Sequence, residues 1–228
     1  MKVTVITIFP EFFEAPLKVS IVGRAITLGS LIVNTIDLRD YAEGVHRKVD
    51  DAPFGGGAGM VMMVEPLDKA LAPLSDSVRV LLSPSGTPLD QPTLDRWATV
   101  DHVTLICGRY EGVDERVAEH LTDEQVSLGD FVLAGGEVAA LAAIEGIARL
   151  LPGVLGNPAS TKKESFRGGL LEEAQYTRPA IHNGWSVPEV LMSGDHARVD
   201  AWRNEQRIER TKNRRPDLWE LFEAGESS

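Results

Sequence analysis

A single cysteine is all that this 228-residue chain carries, so no internal disulfide can form and a reducing compartment is the expected setting. Cys107 closes the apolar run Val103–Cys107, where a small packed side chain fits better than a nucleophile or a metal ligand. The five histidines (46, 102, 120, 182 and 196) lack metal-ligand spacing, which argues against a structural zinc site. Long apolar runs are missing as well. The most apolar region, Ala134 to Gly156, contains Glu137, Glu145 and Arg149 and is too charged to span a bilayer. The N-terminus passes from Met1-Lys2 into a short alternating segment ended by Pro10, unlike a secretory signal. Positive charge is scarce: the net charge of −11 argues against a protein that coats nucleic acid by bulk electrostatics. The patterns G-x-x-x-x-G-K-[ST], G-x-G-x-x-G and G-x-S-x-G are all absent, and "GGGAG" at 55–59 follows a charged loop rather than a strand. There is no internal repeat and no low-complexity tract. These absences leave a soluble, cytosolic, globular protein, 43% hydrophobic and 25% charged, with length for one large domain or two small ones.

Against that background, the first two thirds of the chain alternate strand-like and helix-like patterns. Lys2–Ile8, Leu31–Ile36, Val78–Leu82 and Val103–Cys107 are short and β-branched and read as strands. Glu11–Leu28, Glu65–Leu71, Gln91–Trp97, Asp114–Leu121 and Glu137–Leu150 read as helices, with Asp90 a fitting N-cap and Pro66 and Pro92 suited to first turns. Such alternation implies an α/β fold with a mostly parallel sheet, and ligands in such sheets bind outside the carboxyl ends of the strands. Glycine-rich loops follow three successive strands: "SPSGTPLD" after Leu82, "GRYEGVDER" after Cys107, and "SLGDFVLAGGE" (127–137) after a further short strand. Glycine in such places either makes a tight turn or lets a ligand approach bare backbone, and three such loops at one sheet edge favour the ligand.

A long loop between Asp37 and Met63 holds Asp50-Asp51, Gly55-Gly56-Gly57 and Gly59, and its methionines at 60, 62 and 63 are expected to pack into the core. Beyond Leu151 a stretch rich in Pro, Gly, Ser and Lys reads as an interdomain loop. The expected division is a first domain over 1–158, a loop over 159–172 and a small helical domain over 173–228. In the last, "YTRP" and "GWSVPEVLMSGDH" look extended, Asp195 caps a helix to about Arg210, and Asp217–Ala224 forms a terminal turn. Between Arg203 and Arg215 six basic residues face two glutamates. This is either a solvated helix face or a local phosphate-contact patch, and composition does not decide between them.

Nine blocks occur in order across nearly the whole chain: "TIFPEFF", "GRAI", "HRKVDDAPFGGGAGMVM", "LSPSG", "CGRYEGVDERV", "SLGDFVLAGGE", "LLPGVLGNPAS", "YTRP" and "VLMSGDH". Together they resemble the bacterial tRNA (guanine-N1)-methyltransferase family of the SPOUT superfamily. The resemblance implies a deep trefoil knot near the carboxyl ends of the strands, S-adenosylmethionine as methyl donor, and an obligate homodimer whose active sites combine both subunits. It implies a substrate too: a tRNA with guanine at position 37, next to the anticodon, methylated at N1 to prevent frameshifting. Mg²⁺ is a further participant in some members.

Carried over by position, the resemblance assigns Leu82, Pro84, Gly108, Tyr110, Glu111 and Gly112 to the first two cofactor loops. Ser127, Leu128, Gly129, Asp130, Phe131, Val132, Leu133, Gly135 and Gly136 fall on the third. Arg149 matches an arginine expected at guanine O6, while Asp50, Gly55, Gly59 and Arg109 match the substrate side. Guanine N1 carries a proton at neutral pH, so a base must remove it and a cation at O6 stabilises the resulting charge. The family's aspartate base corresponds here to Glu164 in "KESF", one methylene longer, with Asp50 as the rival. Ala58 stands where a proline is usual, Phe54 and Phe131 where tyrosines are common, and Ser85 where glutamine is common. No metal ligand is assigned. The alternatives are a catalytically silent RNA-binding relative and a SPOUT methyltransferase of ribosomal RNA.

Overall fold

In a computed structural model of the chain, residues 1–157 and 164–225 are described. The chain divides into two compact units, Met1–Gly156 and Asn157–Ser228. The start of the expected interdomain loop, including Lys162 and Lys163, lies outside the described residues.

The first unit is built on β1 (Lys2–Thr7), β2 (Ile32–Asp37), β5 (Val78–Pro88), β6 (His102–Cys107) and β7 (Glu124–Ser127). These make one sheet in the order β2–β1–β6–β5–β7, and every pairing in it is parallel. The short strands β3 (Asp50–Asp51) and β4 (Val61–Met62) form a separate antiparallel pair. All six residues of β6 are buried, as are Val3 to Thr7 of β1. That near-continuous apolar character is what a parallel strand covered on both faces requires.

Alternate residues of each strand feed different cores. On one face Val5, Val80, Leu82 and Leu105 pack against α1 (Ser20–Thr27) and α5 (Glu137–Leu150), with Trp97 of α3 (Gln91–Trp97). On the other, Ile6, Leu81 and Ile106 pack against Leu67, Ala70 and Leu71 of α2 (Val64–Leu71) and Val117 of α4 (Glu115–His120). The period of two along a strand produces this division.

The single helix expected over Glu11–Leu28 is three pieces: two 3₁₀ turns, Pro10–Phe13 and Pro16–Lys18, and then α1. Val19 is extended (φ −120°, ψ 164°), and the two prolines lack the N–H groups a continuous helix would need. The expected loop Asp37–Met63 contains the β3–β4 pair, whose two-residue strands are too short for an alternating pattern to reveal.

The second unit contains a two-strand hairpin of β8 (Ile181–His182) and β9 (Trp185–Ser186), then α6 (Glu189–Met192), α7 (His196–Arg214) and α8 (Pro216–Glu223). Helix α6 lies inside a stretch expected to be extended. Asp195 does cap α7 through its side chain, but the helix continues to Arg214, past the expected end near Arg210, because no breaker occurs before Pro216. The expected terminal turn is α8, with Pro216 in its first turn, a position that tolerates the missing N–H. No helix among the described residues is long and apolar enough to cross a membrane.

Candidate functional site

The carboxyl ends of β5, β6 and β7 meet at one cavity of about 330 Å³, within the range of small-molecule sites. Strand β5 leaves the ladder after Leu82 and rejoins it at Thr87, both registering with Val126, so Ser83 to Gly86 bulge outward and bring Pro84 to the cavity. From the loop after β6 come Gly108, Arg109, Tyr110, Glu111 and Gly112. From the stretch closing β7 come Ser127, Leu128, Gly129, Phe131, Val132, Leu133, Gly135 and Gly136.

Asp130 is the exception among the expected cofactor residues, being exposed and outside the cavity wall. The reason is local. Phe131 N donates to Gly129 O at 2.8 Å, and the Ser127 hydroxyl bridges the N–H and C=O of Gly129, at 3.2 and 3.0 Å. Asp130 is thus the apex of a three-residue turn and faces away.

The second and third loops are bonded to each other. Gly136 N donates to Gly108 O at 3.0 Å, and Arg109 and Gly135 form an antiparallel bridge. A Cβ on Gly136 would sit 2.8 Å from Cys107 Cα, and one on Gly135 would collide with the Arg109 side chain. Bare backbone is therefore required at both positions for the loops to approach. Cys107 lies fully buried beneath this contact, and burial pushes its thiol well up, so it is a packed side chain and no thiolate.

Arg109, expected on the substrate side, directs its Nε and Nη2 to Glu137 Oε2 at 2.9 and 2.8 Å, and its guanidinium lies 4.6 Å over the Phe9 ring. Glu137 Oε1 accepts from the Thr7 hydroxyl at 2.7 Å. Sequence reasoning missed Glu137 and Thr7. A glutamate opening a helix looks like an ordinary first-turn acid, and its partners lie 28 and 130 residues away in the chain.

The β3–β4 hairpin is stitched to the second loop. Met62 N donates to Gly112 O, Glu111 N to Met60 O and Asp114 N to Met62 O, each at 3.0 Å. This places half-buried Asp50 near Tyr110, whose hydroxyl pKa is raised by burial first and by Asp50 next. Between Asp50 and Met62 the tip Gly55, Gly56, Gly57 and Gly59 takes positive φ throughout, and Phe54 there is fully exposed. The Glu111 side chain lies directly against Gly59.

Arg149 occupies the last turn of α5, whereas the cavity touches the start of that helix at Gly136 and Ala139. Twelve residues at 1.5 Å each separate Glu137 from Arg149, about 18 Å along the axis. Within one chain, Arg149 and the cavity are not brought together.

Glu164 belongs to the second unit. Its side chain is 15% exposed and lies 4.0 Å from Arg167. The segment that follows is pinned to α7: Leu171 N donates to the buried Thr211 hydroxyl at 2.9 Å, and Arg210 Nε to Glu172 O at 3.0 Å. Much of the basic cluster has structural work of this kind. Arg203 meets Asp200 and Glu173, Lys212 stacks over Trp219 at 4.2 Å, and Arg215 forks onto Asp217. Arg214 is exposed. Among the described residues no group of three or more His, Cys, Asp or Glu side chains is placed to hold a metal ion.

The model of the family described as tRNA (Guanine-1)-methyltransferase TrmD matches residues 1–221. The chain belongs to this family. Relatives named tRNA (guanine-N(1)-)-methyltransferase agree with it over nearly their full lengths. The protein of Gloeobacter violaceus is 52% identical over 96% of the chain and 98% of its own length. That of Microcystis aeruginosa is 49% identical over 97% and 98%, and that of Ruegeria pomeroyi 51% over 96% and 93%. The TrmD-family match covers all of the first unit and most of the second.

Proposed function

We propose that the chain transfers a methyl group from S-adenosylmethionine to N1 of guanine 37 of tRNA, next to the anticodon, which prevents frameshifting. The carrying observation is its family membership, with about half of all residues identical to relatives of that name over nearly the full length. The cavity fits the methyl donor. Phe131, Leu133 and Tyr110 are left 53%, 40% and 45% exposed around it, enough apolar surface to sandwich a purine ring, and the Gly135 backbone lies at its wall. When bound there, S-adenosylmethionine supplies the methyl group as an activated sulfonium.

The other steps fall to this chain's residues. Glu164 takes the N1 proton, with Asp50 as the rival base, and Arg149 stabilises charge at O6. Because Arg149 lies at the far end of α5 from its own cavity, the reading requires a second copy, in which the cavity of one subunit meets Arg149 of the other. The exposed Val132 and Val138, 84% and 47% accessible, favour a covered surface there. The Ser83–Gly86 bulge passes so close to Gln125 and Val126 that Gly86 has no room for a Cβ, in keeping with the trefoil knot we assign to this region. The segment over 173–228 is assigned to tRNA contact, and the cytoplasm to the enzyme as a whole.

The test is methyl transfer from labelled S-adenosylmethionine to two tRNAs that differ only at the base after the anticodon. The guanine-bearing tRNA should yield 1-methylguanine and the adenine-bearing one nothing. Equal labelling of both sinks the guanine assignment, and no labelling of either leaves the catalytically silent relative. Repeating the assay with EDTA measures any Mg²⁺ requirement.

A further inference from the structure

Glu137 is a carboxylate with 1% exposure at the first turn of α5, a location costly for a charge unless it is fully paired. Both of its oxygens are engaged, Oε1 by Thr7 and Oε2 by two nitrogens of Arg109. Thr7 Oγ1 in turn accepts from Phe9 N at 3.0 Å, closing the end of β1, and the Phe9 ring covers the guanidinium. Arg109 is therefore clamped from two sides. Its side chain fills the space a Cβ of Gly135 would need and so forms the surface on which the third loop rests. One chain of contacts runs from the sheet through Glu137 to both loops of the cavity.

We propose that Glu137, held by Thr7 and acting through Arg109, is a positioning residue that fixes the spacing of the second and third loops and thereby sets the affinity for the methyl donor. The inference rests on the reading that this cavity takes S-adenosylmethionine. Arg109 then serves as a wall of the loop pair, with two of its nitrogens committed to Glu137. A buried ion pair could instead serve stability alone, and the two roles separate experimentally. Replacing a buried pair by uncharged groups often restores stability, but it cannot restore the guanidinium surface beneath Gly135.

The experiment compares full-length wild type, Thr7→Val, Thr7→Ser, Glu137→Gln and the double variant Glu137→Gln/Arg109→Met. It measures S-adenosylmethionine affinity by calorimetry, melting temperature, and the steady-state constants for tRNA methylation. Thr7→Val and Glu137→Gln should raise the Kd and KM for S-adenosylmethionine about ten- to a hundredfold, by analogy with the residues that orient metal ligands from behind. Their kcat at saturating donor should stay within about threefold, since the reacting groups are untouched, and KM for tRNA should not move. Thr7→Ser, which keeps the hydroxyl, should bind normally. The double variant should regain the melting temperature lost by Glu137→Gln without regaining affinity.

A folded Glu137→Gln that binds like wild type overturns the inference, as does a double variant that recovers both properties. If Glu137→Gln does not fold, the threonine pair decides, and equal affinities of Thr7→Val and Thr7→Ser overturn it. A wild type that does not bind S-adenosylmethionine sinks the functional reading and this inference with it. Wild-type binding with unaltered variants sinks the inference alone.

Discussion

At the scale of single residues, the proposed function turns most on which carboxylate would remove the guanine proton. Glu164 reaches about one bond further than an aspartate, and Gly168 and Gly169 follow it with positive φ. Glu164→Gln is expected to lower the single-turnover methylation rate by roughly two to four orders of magnitude, the usual cost of losing a general base, with donor affinity unchanged. Asp50→Asn is the paired control. Near-normal turnover in Glu164→Gln with a dead Asp50→Asn moves the role to Asp50.

A second residue reports through pH. His102 is 6% exposed and shares a 2.9 Å hydrogen bond with Thr4 Oγ1. Burial, aided by Lys2, holds its pKa below the ordinary histidine value, although Asp76 pulls the other way. The folded state therefore binds fewer protons than the unfolded chain below pH 6.5, so stability from this site is full above that pH and declines as pH falls through it. The melting temperature should drop between pH 7 and pH 5, and His102→Gln should flatten that part of the profile. A profile of unchanged shape in the variant refutes the role of His102.

At the scale of elements, the sequence was legible where a strand is long and its neighbours are helices. The β-branched runs predicted β1, β2, β5 and β6 to within a residue or two at their starts, and glycine-rich loops marked the sheet edge that carries the cavity. What stayed hidden was non-local. Glu137 and Thr7 meet across 130 positions, and no periodicity encodes such a contact. The stretch over 203–215 reads either as a solvated helix face or as a phosphate-contact patch, and the structure commits Arg203, Arg210 and Arg215 to particular partners.

That commitment changes what a substitution at α7 measures. Arg214→Ala should weaken tRNA binding and lower the slope of log affinity against log salt by about one, as for a lost phosphate contact. Arg215→Ala should act mainly on stability. A salt slope untouched by Arg214→Ala restores the solvated-face reading of the whole helix. The hydroxyl of Thr211 is a different kind of element-level link, since it bonds both Arg207 O within α7, at 2.7 Å, and Leu171 N in the segment after Glu164. Thr211→Val leaves that half-buried amide without its acceptor and should cost about 1–3 kcal/mol in a denaturant titration. An unchanged midpoint would mean that the segment is held some other way.

At the scale of the whole molecule, the separation of Arg149 from the cavity of its own chain makes a quantitative statement about assembly. If each active site takes its cavity from one subunit and Arg149 from the other, a two-fold dimer holds two equivalent composite sites. Gly135→Val should spoil the cavity, because a branched side chain there collides with Arg109, and Arg149→Ala should spoil the charge stabilisation; each homodimer alone should be nearly inactive. When the two variants are unfolded, mixed in equal amounts and refolded, half of the dimers are mixed. In a mixed dimer one site joins the intact cavity of the Arg149→Ala subunit to the intact arginine of the Gly135→Val subunit, while the other site carries both lesions. Half the dimers with half their sites intact gives about a quarter of wild-type activity. If arginine and cavity instead act within one chain, every site in the mixture carries a lesion and the activity stays at the background of the parents. Sedimentation of the mixture, confirming dimers in both cases, ensures that a background reading counts against the composite site and not against assembly.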